Sequence, residues 1–249
     1  MLKVVDVSKN FGGLQALDHI QLHLEQNRIY GLIGPNGAGK TTLFNLVTGL
    51  LPVSGGSIQF QDEELTSLPP HQIARLGIAR TFQNIRLFPT MSVLENVLVA
   101  QNIHTQSGIP SLFQFKGQRE KKLREEAEAL LQQMGLWEKH GELSSDLAYG
   151  EQRRLEIARA LALQPTLLLL DEPAGGMNEA ETEELLDRIQ EIRNTGKTIF
   201  LIEHDMSVVM GICDYIYVLN FGKLIAQGTP EKIQANEAVI EAYLGREER

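Results

Sequence analysis

A chain of 249 residues suits one large domain, or one domain with an added subdomain, and can bury a sizeable core. Its 32 acidic and 23 basic side chains give a net charge of −9, and no Lys/Arg block stands out, which argues against a nucleic-acid-binding surface. The only cysteine, Cys213, cannot close an internal disulfide and reads as a small buried hydrophobe in a reducing cytoplasm; Met1–Asp6 lacks a signal pattern, and no apolar run nears the roughly 20 residues that span a bilayer, so a soluble protein is expected.

Residues 1 to about 26 alternate polar and apolar, with a turn at Asn10-Phe11-Gly12-Gly13. This is strand periodicity. The apolar stretch Ile29–Ile33 follows and runs into Gly34-Pro35-Asn36-Gly37-Ala38-Gly39-Lys40-Thr41-Thr42. That is the pattern G-x-x-x-x-G-K-[ST], and Leu43, Leu46 and Val47 beyond it have helical spacing. A strand, a glycine-rich loop and a helix start in this order make a phosphate-binding loop. Backbone N–H groups from Gly37 to Thr41 can ring phosphates, and the helix N-terminus adds positive potential. Lys40 supplies a point charge, and the Thr41 hydroxyl is the expected Mg²⁺ ligand.

A turn-rich piece, Pro52–Gly56, leads into Ser57–Phe60, so an antiparallel sheet is expected beside the phosphate-binding core. Gln72–Ala79 reads as an amphipathic segment before Arg80-Thr81-Phe82-Gln83-Asn84. Gln83 offers an amide for Mg²⁺ or water at a natural hinge. Thr105–Lys116 reads as a loop whose Leu112, Phe113 and Phe115 either pack on helices or meet a partner. Arg119–Met134 sets Leu123, Ala127, Leu130, Leu131 and Met134 on one helical face, and Gly135 follows as a C-cap. Leu147–Gln152 precedes a helix from Arg153 to Leu163, whose N-terminus could bind a second phosphate. One nucleotide does not need two such helix starts in one chain, whereas two copies placed head to tail would use both.

Strand–helix alternation then returns. Leu167–Leu170 is continuously apolar, as a parallel strand buried on both faces should be, and ends in Asp171-Glu172. Acids at a strand end often only cap the next turn. Beside a phosphate loop, Asp171 suits the Mg²⁺ shell and Glu172 suits polarising a water. A helix is expected over Glu179–Arg193 with Asn178 as N-cap and Gly196 past its end. Thr198–Ile202 reads as the next buried strand and leads to Glu203-His204-Asp205, where His204 can orient the attacking water. The other histidines show no metal-ligand spacing. A hairpin is expected from Tyr215–Leu219 through Asn220-Phe221-Gly222 to Lys223–Ala226.

The order Phe11, Gly34–Thr42, Gln83, Leu147–Gln152, Asp171-Glu172, Gly175–Asn178 and His204 resembles the nucleotide-binding subunit of ABC transporters over essentially the whole chain. The resemblance implies an α/β fold: a P-loop NTPase (RecA-like) core with an antiparallel β subdomain and an α-helical subdomain at about 84–158, within a single domain 1–249. It implies ATP and Mg²⁺, with Lys40, Gln83, Glu172 and His204 as catalytic residues and Thr41, Gln83 and Asp171 near the metal. Phe11 would stack on adenine. Gln83 would couple the site to a transmembrane permease, and Gly175–Asn178 would cross a dimer interface. Ala148, Tyr149, Gly150 and Glu151 would meet nucleotide held by a second ATPase subunit. A narrower resemblance, to the larger ATPase subunit of branched-chain amino acid importers, rests on Arg80–Phe88, Tyr149–Arg159, Glu203–Met206, the insertion around Phe113 and the tail Ala242–Gly245. It implies an extracytoplasmic solute-binding protein as an indirect partner and a place on the cytoplasmic face of the membrane. The chain departs from the family at Ala148, where a serine hydroxyl usually contacts the γ-phosphate. An ATPase for another solute is the nearest alternative. A non-transport ABC ATPase fits less well with one acidic cassette, and a small-molecule kinase leaves Leu147–Gln152 and His204 unexplained.

Overall fold

The computed structural model describes residues 1–101 and 116–244. Strands β1 (Leu2–Phe11) and β2 (Leu14–Leu24) pair antiparallel across the expected turn. The buried strand β3 (Ile29–Ile33) feeds helix α1 (Lys40–Val47), and β4 (Gly55–Phe60) and the short β5 (Glu63–Glu64) complete a four-stranded sheet ordered β2-β1-β4-β5. Helix α2 (Pro70–Arg75) and strand β6 (Ile78–Arg80) come next. The segment Gln72–Ala79, read from sequence as one amphipathic piece, is thus split. Gly77 turns the chain at φ 100°, and β6 joins the main sheet beside a leucine strand. Sheet pairing outweighs local periodicity here.

Helices α3 (Val93–Gln101), α4 (Lys116–Gln133) and α5 (Tyr149–Leu161) fill the interval before β7 (Leu167–Asp171). On α4, Ala127 and Leu131 are fully buried, as is Met134 just past its end, and Gly135 closes the helix at φ 65°. The loop expected over Thr105–Lys116 lies outside the described residues except for Lys116, which begins α4. Helix α6 (Glu179–Asn194), β8 (Thr198–Ile202), α7 (Met206–Ile212), β9 (Tyr215–Asn220) and β10 (Lys223–Gly228) follow, then α8 (Pro230–Gln234) and α9 (Glu237–Leu244). Asn178 caps α6: its side chain accepts the Glu181 N–H at 3.0 Å, and Glu181 returns a bond from the Asn178 N–H at 3.1 Å.

The main sheet runs β10-β9-β3-β8-β7-β6, parallel except for β10. Leu167 and Leu169 face one core with Tyr30, Phe44 and Phe200; Leu168 and Leu170 face the other with Leu155, Leu185 and Ile189. Burial on both faces explains why these strands are apolar without alternation. Because five strands are parallel, the loops after β3, β6, β7 and β8 all leave the same edge of the sheet.

The Phe200 ring is fully buried, with its centroid 5.0 Å from that of Phe44 on α1. Phe200→Ala should cost about 3–5 kcal/mol in a denaturant titration, and a loss below about 1 kcal/mol would contradict a core shared by sheet and α1.

Candidate nucleotide site

The chain leaves β3 at Ile33 and enters α1 at Lys40. Gly39 makes the entry in a left-handed conformation, φ 106°. A Cβ there would lie 2.6 Å from Leu17 Cδ2 and 2.9 Å from the Ala16 carbonyl, so no side chain fits. The buried Lys40 Nζ donates to the carbonyl oxygens of Gly34 at 2.6 Å and Pro35 at 3.1 Å, laying the cation across the loop. Asn36, Gly37, Ala38, Gly39, Lys40, Thr41 and Thr42 line a cleft of about 640 Å³, joined by Phe11, Gln83 and Glu172. An open groove of about 700 Å³ around Tyr30, Tyr215 and Tyr217 shares no residue with it and has no phosphate loop.

Asp171 ends β7 and is 2% exposed. Its Oδ2 accepts from Arg80 Nη2 at 2.7 Å, and Arg80 Nη1 also donates to Asn45 Oδ1 at 2.7 Å. Burial pulls the Arg80 guanidinium down from its ordinary value, opposed by this bond to Asp171. In the sequence Arg80 is one residue of the run Arg80–Phe88, with no role of its own. Its signal was a cation at the end of an apolar segment, legible once that segment is a core strand. Asp171, Thr41, Gln83 and Arg80 line one recess beside the cleft. A carboxylate, a hydroxyl and an amide offer the oxygen donors that a hard cation such as Mg²⁺ takes.

Glu172 follows with φ 48°, an uncommon conformation for a side chain-bearing residue. Gln83 Nε2 donates to Glu172 Oε2 at 2.9 Å. His204 Nδ1 lies 3.9 Å from Glu172 Oε1 and 3.9 Å from Glu203 Oε2. Glu203, to which the sequence assigns no role of its own, is 1% exposed and accepts the N–H groups of Ala174 at 3.0 Å and His204 at 3.3 Å. Burial pushes its carboxyl above the usual glutamate range.

Ala148, Tyr149, Gly150 and Glu151 stand at the start of α5, outside the cleft of the phosphate loop. Ala148 has no side-chain acceptor, so only half of a capping box exists: Glu151 accepts the Ala148 N–H at 3.1 Å and pairs with Lys139 at 2.8 Å. The fully buried Arg153 donates to the carbonyls of Phe82 at 2.7 Å and Gln83 at 2.8 Å, to Glu156 at 2.9 Å and to the Tyr149 hydroxyl at 3.2 Å. Glu156 accepts the N–H groups of Phe82 and Arg86, both at 3.3 Å. Burial raises the Glu156 carboxyl, against the pull of Arg153. One helix turn of α5 therefore grips the loop that carries Gln83. Neither residue was singled out from sequence, where both look like ordinary surface charges on a helix.

A phosphate loop on a parallel sheet, facing two strand-end carboxylates and a histidine, defines a nucleotide-hydrolysing P-loop protein. Residues 17–175 match the ABC transporter family, and residues 223–249 match the branched-chain amino acid ATP-binding cassette transporter family. The chain is 50% identical over 253 residues to the high-affinity branched-chain amino acid transport ATP-binding protein LivG of Escherichia coli (strain K12), covering 98% of each. It is 46% identical over 249 residues to the corresponding protein BraF of Pseudomonas aeruginosa, again covering 98% of each. A solved ATP-binding cassette of an ABC transporter in its ADP conformation superposes with a TM-score of 0.87 at 30% identity, covering 98% of both chains. The chain belongs to the ABC transporter ATP-binding family: it binds ATP and hydrolyses it.

Arg153→Met leaves the buried Glu156 without its cation, and should cost about 3–5 kcal/mol of stability. Adding Glu156→Gln, which removes the charge and keeps an oxygen for the Phe82 and Arg86 N–H groups, should recover much of that loss, while ATPase activity stays low because the Gln83 loop has lost its grip. Full recovery of activity in the double variant would contradict this. For Glu203 the folded carboxyl holds its proton more tightly than the unfolded one. Its contribution to stability is complete below the ordinary glutamate range and is lost as pH rises through the raised value. Glu203→Gln should therefore flatten the fall in Tm with rising pH, and an unchanged slope counts against it.

Proposed function

We propose that the chain powers uptake of branched-chain amino acids, by hydrolysing ATP at sites completed between two ATPase subunits that are joined to membrane permeases. The observation that carries the hydrolytic half is Glu172: its carboxylate lines the phosphate cleft, held by Gln83 at 2.9 Å and faced by His204 at 3.9 Å. Phe11 gives the base an apolar surface, and backbone N–H groups from Gly37 to Thr41, with Lys40, bind the phosphates. Glu172 accepts a proton from water as the water attacks the γ-phosphorus in line, His204 orients that water, and the bond to the ADP oxygen breaks. Thr41, the second oxygen of Asp171 and Gln83 would hold a Mg²⁺ ion, which would neutralise charge at the phosphates. Arg80 fixes the first oxygen of Asp171 and so sets its direction.

The second subunit is needed because the start of α5 lies outside the chain's own cleft. Two copies, or this chain and a related ATPase, would place Tyr149 and Gly150 against each other's nucleotide, with Gly175–Asn178 between them. Residues about 84–158 act as the helical subdomain of a single domain 1–249. Among the described residues no helix is long and apolar enough to cross a membrane, which suits a peripheral subunit held at the cytoplasmic face by permease subunits. The solute rests on relatives 46–50% identical that are named for branched-chain amino acid transport, and on the match at residues 223–249. An extracytoplasmic solute-binding protein would deliver it.

Glu172→Gln should trap an ATP-bound dimer in size-exclusion chromatography; a monomer that hydrolyses normally would remove Glu172 from its role. Ala148→Ser restores a hydroxyl that can meet the partner's γ-phosphate and should tighten ATP-driven dimerisation about tenfold. Unchanged dimerisation and rate would show that Ala148 is no handicap. In the assembled complex, stimulation of ATPase by a solute-binding protein loaded with leucine, and not with an unrelated solute, tests the substrate.

A further inference from the structure

The turn Phe221-Gly222 joins β9 to β10, with Asn220 paired to Lys223. Both turn residues have positive φ, 46° and 76°. This is the hairpin geometry that favours Asn-Gly, and a bulky side chain at its first position is an outlier. Nor is the ring rewarded by packing, for Phe221 is 79% exposed. Strain and exposure together, at one residue, point to a role outside folding.

The place of the turn says what that role is. The Gly222 N–H donates to the Ala38 carbonyl at 3.0 Å, and the Asp18 N–H donates to the Gly222 carbonyl at 2.8 Å. A Cβ on Gly222 would come within 2.6 Å of the Ala16 carbonyl. The turn is thus fixed against the phosphate loop itself. Phe221 lines the same cleft as Lys40 and Thr41, together with Phe11, 44% exposed, and Leu14, 68% exposed. Phosphates and Mg²⁺ have no use for these apolar side chains, whereas a purine ring does.

We infer that Phe221 is a second base-contacting residue, an apolar wall for the purine of the bound nucleoside triphosphate in addition to Phe11. The inference rests on ATP being the ligand of the cleft. Stacking accepts any purine face, so the wall adds affinity without choosing between adenine and guanine.

The test compares binding of ATP, GTP and inorganic tripolyphosphate, each with Mg²⁺, to the full-length chain by calorimetry. Phe221→Asn puts the favoured residue in the turn. It should raise Tm by about 2 °C. It should also weaken ATP and GTP alike by about tenfold, leaving tripolyphosphate unchanged. Phe221→Tyr should keep the nucleotide affinity. Unchanged ATP affinity in Phe221→Asn overturns the inference, and so does equal weakening of tripolyphosphate, which would mean that the turn supports the loop without touching the base. Retained ATP affinity with loss of ATP-driven self-association would assign the ring to a protein interface instead. Failure of the wild-type chain to bind any of the three ligands is a different failure, of the nucleotide reading itself.

Discussion

The whole arrangement depends on one bend of the backbone. β3 is buried on both faces, so its polar backbone must stay in the sheet until Ile33, and α1 must begin at Lys40 under the same sheet. The chain crosses that short gap through left-handed backbone at Gly39, where no side chain fits against Leu17 and Ala16. A loop of this kind at a helix start offers backbone N–H groups to an anion, and so attracts phosphate. Parallel pairing then brings the ends of β6, β7 and β8 to the same edge, so Gln83, Glu172 and His204 gather where the loop already is.

Buried charge holds the surrounding loops. Arg80 and Asp171 are 5% and 3% exposed at their side chains, and Arg153 and Glu156 are 2% and 5% exposed. Such pairs seldom add net stability, because desolvation offsets their attraction. Their value here is geometric. Arg80 sets the direction of the Asp171 carboxylate, and Arg153 ties the Gln83 loop to α5. In the proposed dimer, α5 meets the partner's nucleotide while Gln83 touches Glu172 in its own cleft. The grip between them means that neither can shift alone.

Ala148 and Tyr149 acquire their context from the fold. With no hydroxyl at Ala148, that residue offers no side-chain acceptor to the first N–H groups of α5, while its own N–H is accepted by Glu151, whose carboxylate is also drawn to Lys139. Tyr149 is half-exposed, yet its hydroxyl accepts from the buried Arg153. The start of α5 is therefore organised from beneath by a guanidinium instead of from its own cap.

The sequence alone determined the phosphate loop, the buried leucine strand with Asp171 and Glu172 at its end, the Asn178 cap and the β9–β10 hairpin. Each is specified locally, by glycine spacing, by runs of one polarity or by turn chemistry, and needs no distant partner to be read. It misjudged Gln72–Ala79, because the strand β6 is made by pairing with Leu167–Leu169, far along the chain. Arg80, Arg153, Glu156, Glu203 and Phe221 were equally silent. A charge looks solvated until packing removes its water, and a phenylalanine in a turn looks ordinary until its backbone is seen in the left-handed region. What tertiary structure decided was burial and direction, and those two quantities turn a set of motifs into a site.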